Sequence, residues 1–478
     1  MSKEALARRV GLPTFTLTKT CESSDPNSIR RVISTESDAV TYYCKAITVP
    51  TIGPFNCNNL PIVVDANGAP WREACLFILS RLENAIGHAN MKTFVGIADD
   101  LAAFRRYVDS ECIDWTVFAR HKHVRPTYRY RGYLMVKVGA GEIAPSTARR
   151  RMLTLVGFYR WLVAENCLKP EYPLWNEKEV YIQFTSEVGE RRSKVVKSTD
   201  VGIRISKQED PYDGTIKDGG KLKPLAINEQ EKLIQTLVEI GNTEMTLIHL
   251  VALFTGARIQ TVLTMKVRHS RVELPKGATE IPVICGPGTG IDTKYGKHLT
   301  LLFPRWLYEQ LRIYSYSDRA NVRRHRSARG EPDDAYLFVS SHGNPYYDDI
   351  ADTRRFDAQG KKRYQASGAA VRVFIADRVL PIMQEKLGQH FHYQLHDLRA
   401  SFGMNMTDGQ LKLVENGVIT LHDAREFVKI RMGHERASTT DGYLRHRKKH
   451  RLVRQVQQHY EEHLRGLIDL AKAGGSGQ

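Results

Sequence analysis

The residues that could do chemistry lie in the second half of the chain, in five short stretches. They are Thr255-Gly256-Ala257-Arg258, Thr293-Lys294-Tyr295-Gly296-Lys297, His396-Asp397-Leu398-Arg399, Gly433-His434 and Ser438-Thr439-Thr440-Asp441-Gly442-Tyr443. Such a set suits phosphoryl transfer. Breaking a phosphodiester without a metal takes a nucleophile, positive charge on the non-bridging oxygens and an acid for the leaving oxygen. A tyrosine oxygen forms a covalent ester that retains the bond energy for religation. The planar fork of arginine donates two hydrogen bonds to a phosphate. Two such forks, Arg258 and Arg399, can neutralise charge developing in a pentacoordinate transition state. No carboxylate cluster at metal-ligand spacing accompanies them, so neither a metal nor another cofactor is expected.

Each stretch is weak alone, since a lone histidine or tyrosine is more often structural, and His-x-x-Arg recurs at His422-Asp423-Ala424-Arg425. In this order, however, the five resemble the tyrosine recombinases (the phage-integrase family), over roughly Pro224 to Tyr443. The most specific part is Met432-Gly433-His434-Glu435-Arg436-Ala437-Ser438-Thr439-Thr440-Asp441-Gly442-Tyr443, whose tyrosine follows the histidine by nine residues. The helix expected at Ala148–Glu165, with Phe158-Tyr159-Arg160-Trp161-Leu162, looks like the last helix of that family's core-binding domain.

The resemblance implies a site-specific recombinase that cuts and rejoins DNA through a 3′-phosphotyrosine and a Holliday junction, without metal or ATP. The setting would be integration, excision or resolution of a mobile element. It implies Tyr443 as nucleophile, Arg258 and Arg399 as phosphate clamps, His396 at proton transfer to and from the tyrosine, and His434 on the scissile phosphate. A hairpin lysine would protonate the leaving 5′-hydroxyl. Lys294 is preferred to Lys297 because Thr293-Lys294-Tyr295-Gly296 has the Ser/Thr-Lys-x-Gly form of many integrases. The partners implied are double-stranded DNA with inverted half-sites, further copies of the chain in a tetramer, and accessory proteins. The place implied is the cytoplasm, on the nucleoid in a prokaryote, with no membrane. Two departures stand out: Thr261 replaces the usual acid three residues after the first arginine, and the interval from Arg399 to His434 is long, as if by an insertion around Met404–Thr420. His422 and Arg425 read as surface residues of a helix capped by Thr420. The rival readings are a type IB topoisomerase and a DNA-binding protein that does not cut.

The elements that must position these residues read as a mainly α fold with a small β-hairpin or sheet (α+β), arranged as a two-domain DNA clamp. Residues 1–70 read as an irregular N-terminal segment with β-like runs at Ala39–Tyr43, Ala46–Val49 and Leu60–Val64. Residues 71–172 form a helical core DNA-binding domain, 173–222 a linker and 223–445 the catalytic domain. A basic segment and a helix at Leu452–Leu467 follow in 446–473, with an apolar stripe that either packs internally or docks on a neighbouring copy. Residues 474–478 read as a tag remnant. Candidate DNA contacts are Arg125, Arg129 and Arg131 in a basic, aromatic stretch, Arg149, Arg150 and Arg151 at a helix start, and Lys448 and Lys449 after the tyrosine.

Composition agrees with this class. The 478 residues are 42% hydrophobic and 26% charged, the balance of a folded globular chain. Seventy Lys+Arg against 53 Asp+Glu leave a formal charge of +17, a field that favours polyanions. No apolar run approaches the roughly 20 residues that cross a bilayer. Seven scattered cysteines without a Cys-x-x-Cys pair argue against a disulfide framework or a cysteine zinc site.

Overall fold

The computed structural model describes residues 6–34, 39–49, 53–85, 90–185, 191–204, 213–327, 333–360 and 364–474. The chain forms two compact units. One comprises Met1–Glu209 with Arg355–Tyr364, the other Asp210–Arg354 with Gln365–Gln478.

In the first unit β1 (Arg8–Thr16) pairs antiparallel with β7 (Asn56–Val64), Leu12 opposite Leu60. Between them β2 (Thr18–Thr20), β3 (Ile29–Ser34) and β4 (Ala39–Ala46) form a sheet ordered β2-β4-β3, and β5 (Thr48–Val49) pairs with β6 (Gly53–Pro54). The described part of residues 1–70 is therefore largely strand, where an irregular segment was expected. The period-2 signal is faint because the strands are short and pair with partners far along the chain. They are fixed by a shared core, in which Leu17, Phe55, Leu60 and Val63 pack with residues of the following helices. Those helices are α1 (Arg72–Glu83), α2 (Met91–Ser110), α3 (Pro126–Gly139) and α4 (Pro145–Ala164). Trp71 packs edge-on against Phe158 with ring centroids 5.3 Å apart, a favoured aromatic geometry.

The interval 173–222 is more structured than a linker. It contains the antiparallel ribbon β8 (Glu177–Thr185) and β9 (Arg191–Thr199), while Trp175, Val201 and Ile203 are buried in the first unit's core. The basic, aromatic stretch is helix α3, with Tyr130 fully buried and stacked near Tyr133. Arg125 is buried and donates to the carbonyls of Ala119, Arg120 and Pro173, so its guanidinium ties loops together. Arg129 pairs with Glu111 and Arg131 is half-buried. Arg150 lies 2.7 Å and Arg151 3.9 Å from the buried carboxylate of Asp100, whose pKa burial raises against those charges. Arg149 is exposed.

The second unit opens with a small hairpin, β10 (Ile216–Lys217) and β11 (Lys221–Leu222). The helices α5 (Ile227–Ile240), α6 (Thr243–Thr255) and α7 (Ile259–Leu263) follow. Next comes the antiparallel pair β12 (Glu280–Cys285) and β13 (Leu299–Pro304), with Val283 opposite Leu301. Its alternation buries Ile281, Val283 and Cys285. The chain continues through α8 (Arg305–Tyr316), α9 (Asp318–His325), α10 (Ile350–Arg354), α11 (Ala369–Phe374), α12 (Leu380–Leu387), α13 (Asp397–Glu415), α14 (Leu421–Met432) and α15 (Ala437–Gly474). Helix α6 is apolar all round because it runs through the core, with Ile248, Val251 and Ala252 wholly buried.

The long interval before His434 holds the rest of the 19-residue α13, a turn and the 12-residue α14. Thr420 caps α14 by accepting from Asp423 N, and Arg425 on that helix pairs with Asp441. Helix α15 starts at Ala437, so Ser438, Thr439 and Thr440 lie inside it and Tyr443 in its second turn, one turn later than the hydroxyl-rich sequence implies. The expected helix at Leu452–Leu467 is part of this same helix. The side chains of Lys448, Lys449, Leu452, Val453 and Val456 lie outside the described residues, and Tyr460, Leu464 and Leu467 are exposed. The mainly α, small-β architecture matches the expected fold class. Among the described residues no helix is long and apolar enough to cross a membrane.

Candidate active site

Helix α6 ends where Gly256 takes a left-handed φ of 66°. A Cβ there would come within 2.5 Å of the Phe402 ring, so only glycine lets the chain turn against α13. That turn delivers Arg258 to the entry of α7. His396 precedes α13 and Arg399 lies in its first turn, which puts both on the same side. The end of α14 delivers His434, and α15 delivers Tyr443. Lys294 comes from the loop between β12 and β13.

These groups surround one carboxylate, that of Asp218 at the tip of the β10–β11 hairpin. Arg399 Nε donates to Asp218 Oδ2 at 2.7 Å, and Arg258 Nη2 to Oδ1 at 3.1 Å. His434 Nε2 lies 3.1 Å and Tyr443 Oη 3.2 Å from Oδ2. His396 Nε2 donates to the carbonyl of Asp218 at 3.3 Å. A Cβ on the next residue, Gly219, would stand 3.1 Å from Lys294 Nζ and 3.9 Å from Arg258 Nη2, which places Lys294 beside the same point. Lys297 is turned aside into a salt bridge with Glu435.

The donors are held rigidly. Arg399 is 2% exposed, and its other two nitrogens donate to the carbonyls of Gly256 and Met432, each at 2.6 Å. His434 Nδ1 lies 3.0 Å from the Thr440 hydroxyl. An ionised carboxylate only accepts, so His434 Nε2 carries a hydrogen and Nδ1 is oriented by Thr440. The Tyr443 ring is fully buried and stacks on His434 with centroids 5.7 Å apart. Arg258 differs: its Nε is buried without a hydrogen-bond partner, so its fork is half used.

The electrostatics follow. Burial alone would raise the pKa of Asp218, but the His434 hydrogen bond and the charges of Arg399, His434 and Arg258 hold it far below the carboxylate range. Burial and then the Asp218 charge push the Tyr443 hydroxyl well above its ordinary value, against Arg399 and Arg258. Burial and the two arginines lower His396. This is a seat for one tetrahedral or planar anion, with a phenol aimed at it.

Helix α13 makes room for that phenol. A Cβ on Gly403 would come 2.4 Å from Tyr443 Cε1 and 2.9 Å from Cζ. Gly403→Ala should strengthen the isolated helix by up to about 1 kcal/mol, yet displace the ring. Its expected result is unchanged helix content with stability lowered by about 1–3 kcal/mol, the usual cost of overpacking. An unfolding temperature equal to that of the unmutated chain would show that the ring does not need this space.

The structure therefore brings together Arg258, Lys294, His396, Arg399, His434 and Tyr443 and leaves Lys297 outside. Thr261 is buried on α7. The acid in the site is instead Asp218, which the sequence reading had left in the linker. Its one signal is the Asp-Gly-Gly turn between Ile216-Lys217 and Lys221-Leu222, a hairpin pattern. Among the described residues no group of three or more His, Cys, Asp or Glu side chains is placed to hold a metal ion.

No protein-family model and no curated protein matches the sequence. Among the solved structures that are similar to this chain, three cover 77% of it. One is the integrase of transposon Tn1549 in complex with circular intermediate DNA, at 12% identity, a TM-score of 0.40 and 94% coverage of that chain. A single-substitution form of that integrase with transposon right end DNA gives 12% identity, a TM-score of 0.41 and 94% coverage. A lambda integrase dimer bound to a COC′ core site gives 16%, 0.40 and 93%.

Proposed function

We propose that this chain is a tyrosine recombinase that cuts and rejoins DNA at specific sites. The observation that carries the reading is the convergence of two arginines, two histidines, a lysine and a tyrosine hydroxyl on one buried anion seat. In this reading the scissile phosphate takes the seat. Tyr443 Oη attacks phosphorus, the bond to the 5′-oxygen breaks, and the 3′-phosphate stays on the tyrosine. Arg258 and Arg399 hold the non-bridging oxygens, where fixed donors contribute most as charge builds. His434 donates a further hydrogen bond, His396 assists proton transfer at the tyrosine, and Lys294 gives the leaving oxygen its proton. Attack of a 5′-hydroxyl from another strand reverses the chemistry and exchanges strands. The tetramer, the inverted half-sites and the mobile-element setting belong to the same reading.

Trapping the covalent complex on a library of nicked duplexes and sequencing the attached DNA tests the proposal. Recurrent inverted half-sites are expected; scattered attachment would favour a topoisomerase, and no attachment a binding protein.

The lysine assignment has its own test. Lys294→Ala should slow cleavage by roughly 10²–10⁴-fold, the usual worth of a general acid. A substrate with sulfur at the 5′-bridging position should recover most of that loss, because a thiolate leaves without a proton. Should Lys297→Ala behave this way while Lys294→Ala cleaves normally, the assignment is wrong.

A further inference from the structure

The proposed chemistry leaves Asp218 without a task, yet every catalytic candidate is turned toward it. A phosphorus atom about to be attacked must come within about 3–3.5 Å of the nucleophile. That space now holds Asp218 Oδ2, 3.2 Å from Tyr443 Oη and 2.7 Å from Arg399 Nε. Carboxylate and scissile phosphate cannot both be seated. A carboxylate also carries the single charge of a phosphodiester, and it separates two guanidinium groups that burial would otherwise leave facing each other.

We propose that the β10–β11 hairpin is an internal gate in which Asp218 occupies the phosphate seat as a surrogate and must withdraw before DNA can be cut. This rests on the recombinase reading and adds its regulation. Seated, Asp218 also disarms the nucleophile, since Tyr443 donates its hydroxyl hydrogen to Oδ2 and the adjacent negative charge disfavours the phenolate that has to attack. The hairpin is built to leave. Its strands are two residues each, paired as Ile216 with Leu222 and Lys217 with Lys221, and its turn is closed by Asp218 N donating to the Gly220 carbonyl. Its apolar anchors among the described residues are Ile216 and Leu222, in a small cluster with Phe402, Met432 and Tyr443 itself, and beyond the bonds to Asp218 the His446 ring holds the Gly214 carbonyl. The surrogate fits incompletely as well: the orphaned Nε of Arg258 is a donor that a phosphate, with more oxygens, can use.

The test measures seat occupancy, not cleavage. Thermal unfolding of the full chain and of Asp218→Asn and Asp218→Ala is followed while inorganic phosphate is added to a chloride buffer. Both variants should unfold at lower temperature than the unmutated chain without phosphate. Both should then be stabilised by phosphate at concentrations roughly 10-fold or more below those that affect the unmutated chain, since a ligand stabilises in proportion to its access to the folded state. Equal responses in all three proteins would overturn the gate. If neither variant folds, amide hydrogen exchange over residues 213–223 of the unmutated chain decides. Saturating orthovanadate should accelerate exchange across Ile216–Leu222, and unchanged exchange with vanadate bound would overturn the proposal. Covalent DNA adducts without any phosphate discrimination would remove the gate and leave the recombinase standing. Phosphate discrimination without adducts would leave an anion switch and remove the recombinase.

Discussion

Tyr443→Phe should abolish covalent protein–DNA adducts and all strand exchange while leaving the fold in place. The substitution removes one oxygen from a ring whose packing against His434 does not depend on it. The hydrogen bond lost, to the ionised Asp218 Oδ2, contributes about 1.5–3 kcal/mol, while Arg258, Arg399 and His434 still hold that carboxylate. The unfolding temperature should therefore fall by several degrees at most, at about 2–4 °C per kcal/mol, and the variant should still bind DNA. Adducts from the unmutated protein should carry a 3′-phosphate and leave a free 5′-hydroxyl, with or without added magnesium. Persistence of that adduct in the phenylalanine variant would mean another nucleophile, and the exposed Tyr460 on the same helix would be examined next. A strict requirement for a divalent metal would refute the chemistry altogether.

Arg399→Lys should be the next most damaging change, despite keeping the charge. The guanidinium satisfies three acceptors at once: the Gly256 and Met432 carbonyls and the anion in the seat. A lysine ammonium on a flexible stem cannot reproduce that fixed fork. Two buried carbonyls left short of donors would cost about 1–3 kcal/mol each. For a unit of this size that lowers the unfolding temperature by several degrees, at about 2–4 °C per kcal/mol. At a temperature where the variant stays folded, adduct formation should still fall by roughly 10²–10³-fold, as for loss of a preorganised donor. A folded Arg399→Lys protein that forms adducts within a few-fold of the unmutated rate would show that Arg399 is only a strut.

How much of this was legible beforehand depends on how local each determinant is. The helices around Phe94–Val108 and Ala148–Glu165 announce themselves because a helix face is written in three- and four-residue spacing. Proximity of Arg258, His396, Arg399, His434 and Tyr443 could be expected only through the family resemblance that the order of their stretches carries. Asp218 could not, because two-residue strands leave almost no pattern and the partners of its carboxylate lie 40 to 225 residues away. The burial of Arg125 was hidden for a related reason. An arginine in a basic run looks solvated until distant carbonyls, here that of Pro173, come to meet it. The N-terminal strands were half visible, in the runs that fall on β4 and β7, while β1 needs a partner some fifty residues on to become a strand.

The position of Asp218 ahead of its partners has a consequence for how the chain is made. Synthesis is vectorial and N-terminal parts fold first. The carboxylate leaves the ribosome before Arg258, Lys294, His396, Arg399 and His434, and Tyr443 comes last of all. Each arriving cation can thus condense onto an anion already waiting, so the nascent unit does not have to bury a bare guanidinium pair. The phenol then closes a seat that is already filled. Under the proposed gate a newly finished molecule is therefore born shut, and any cutting of DNA would have to be released rather than restrained.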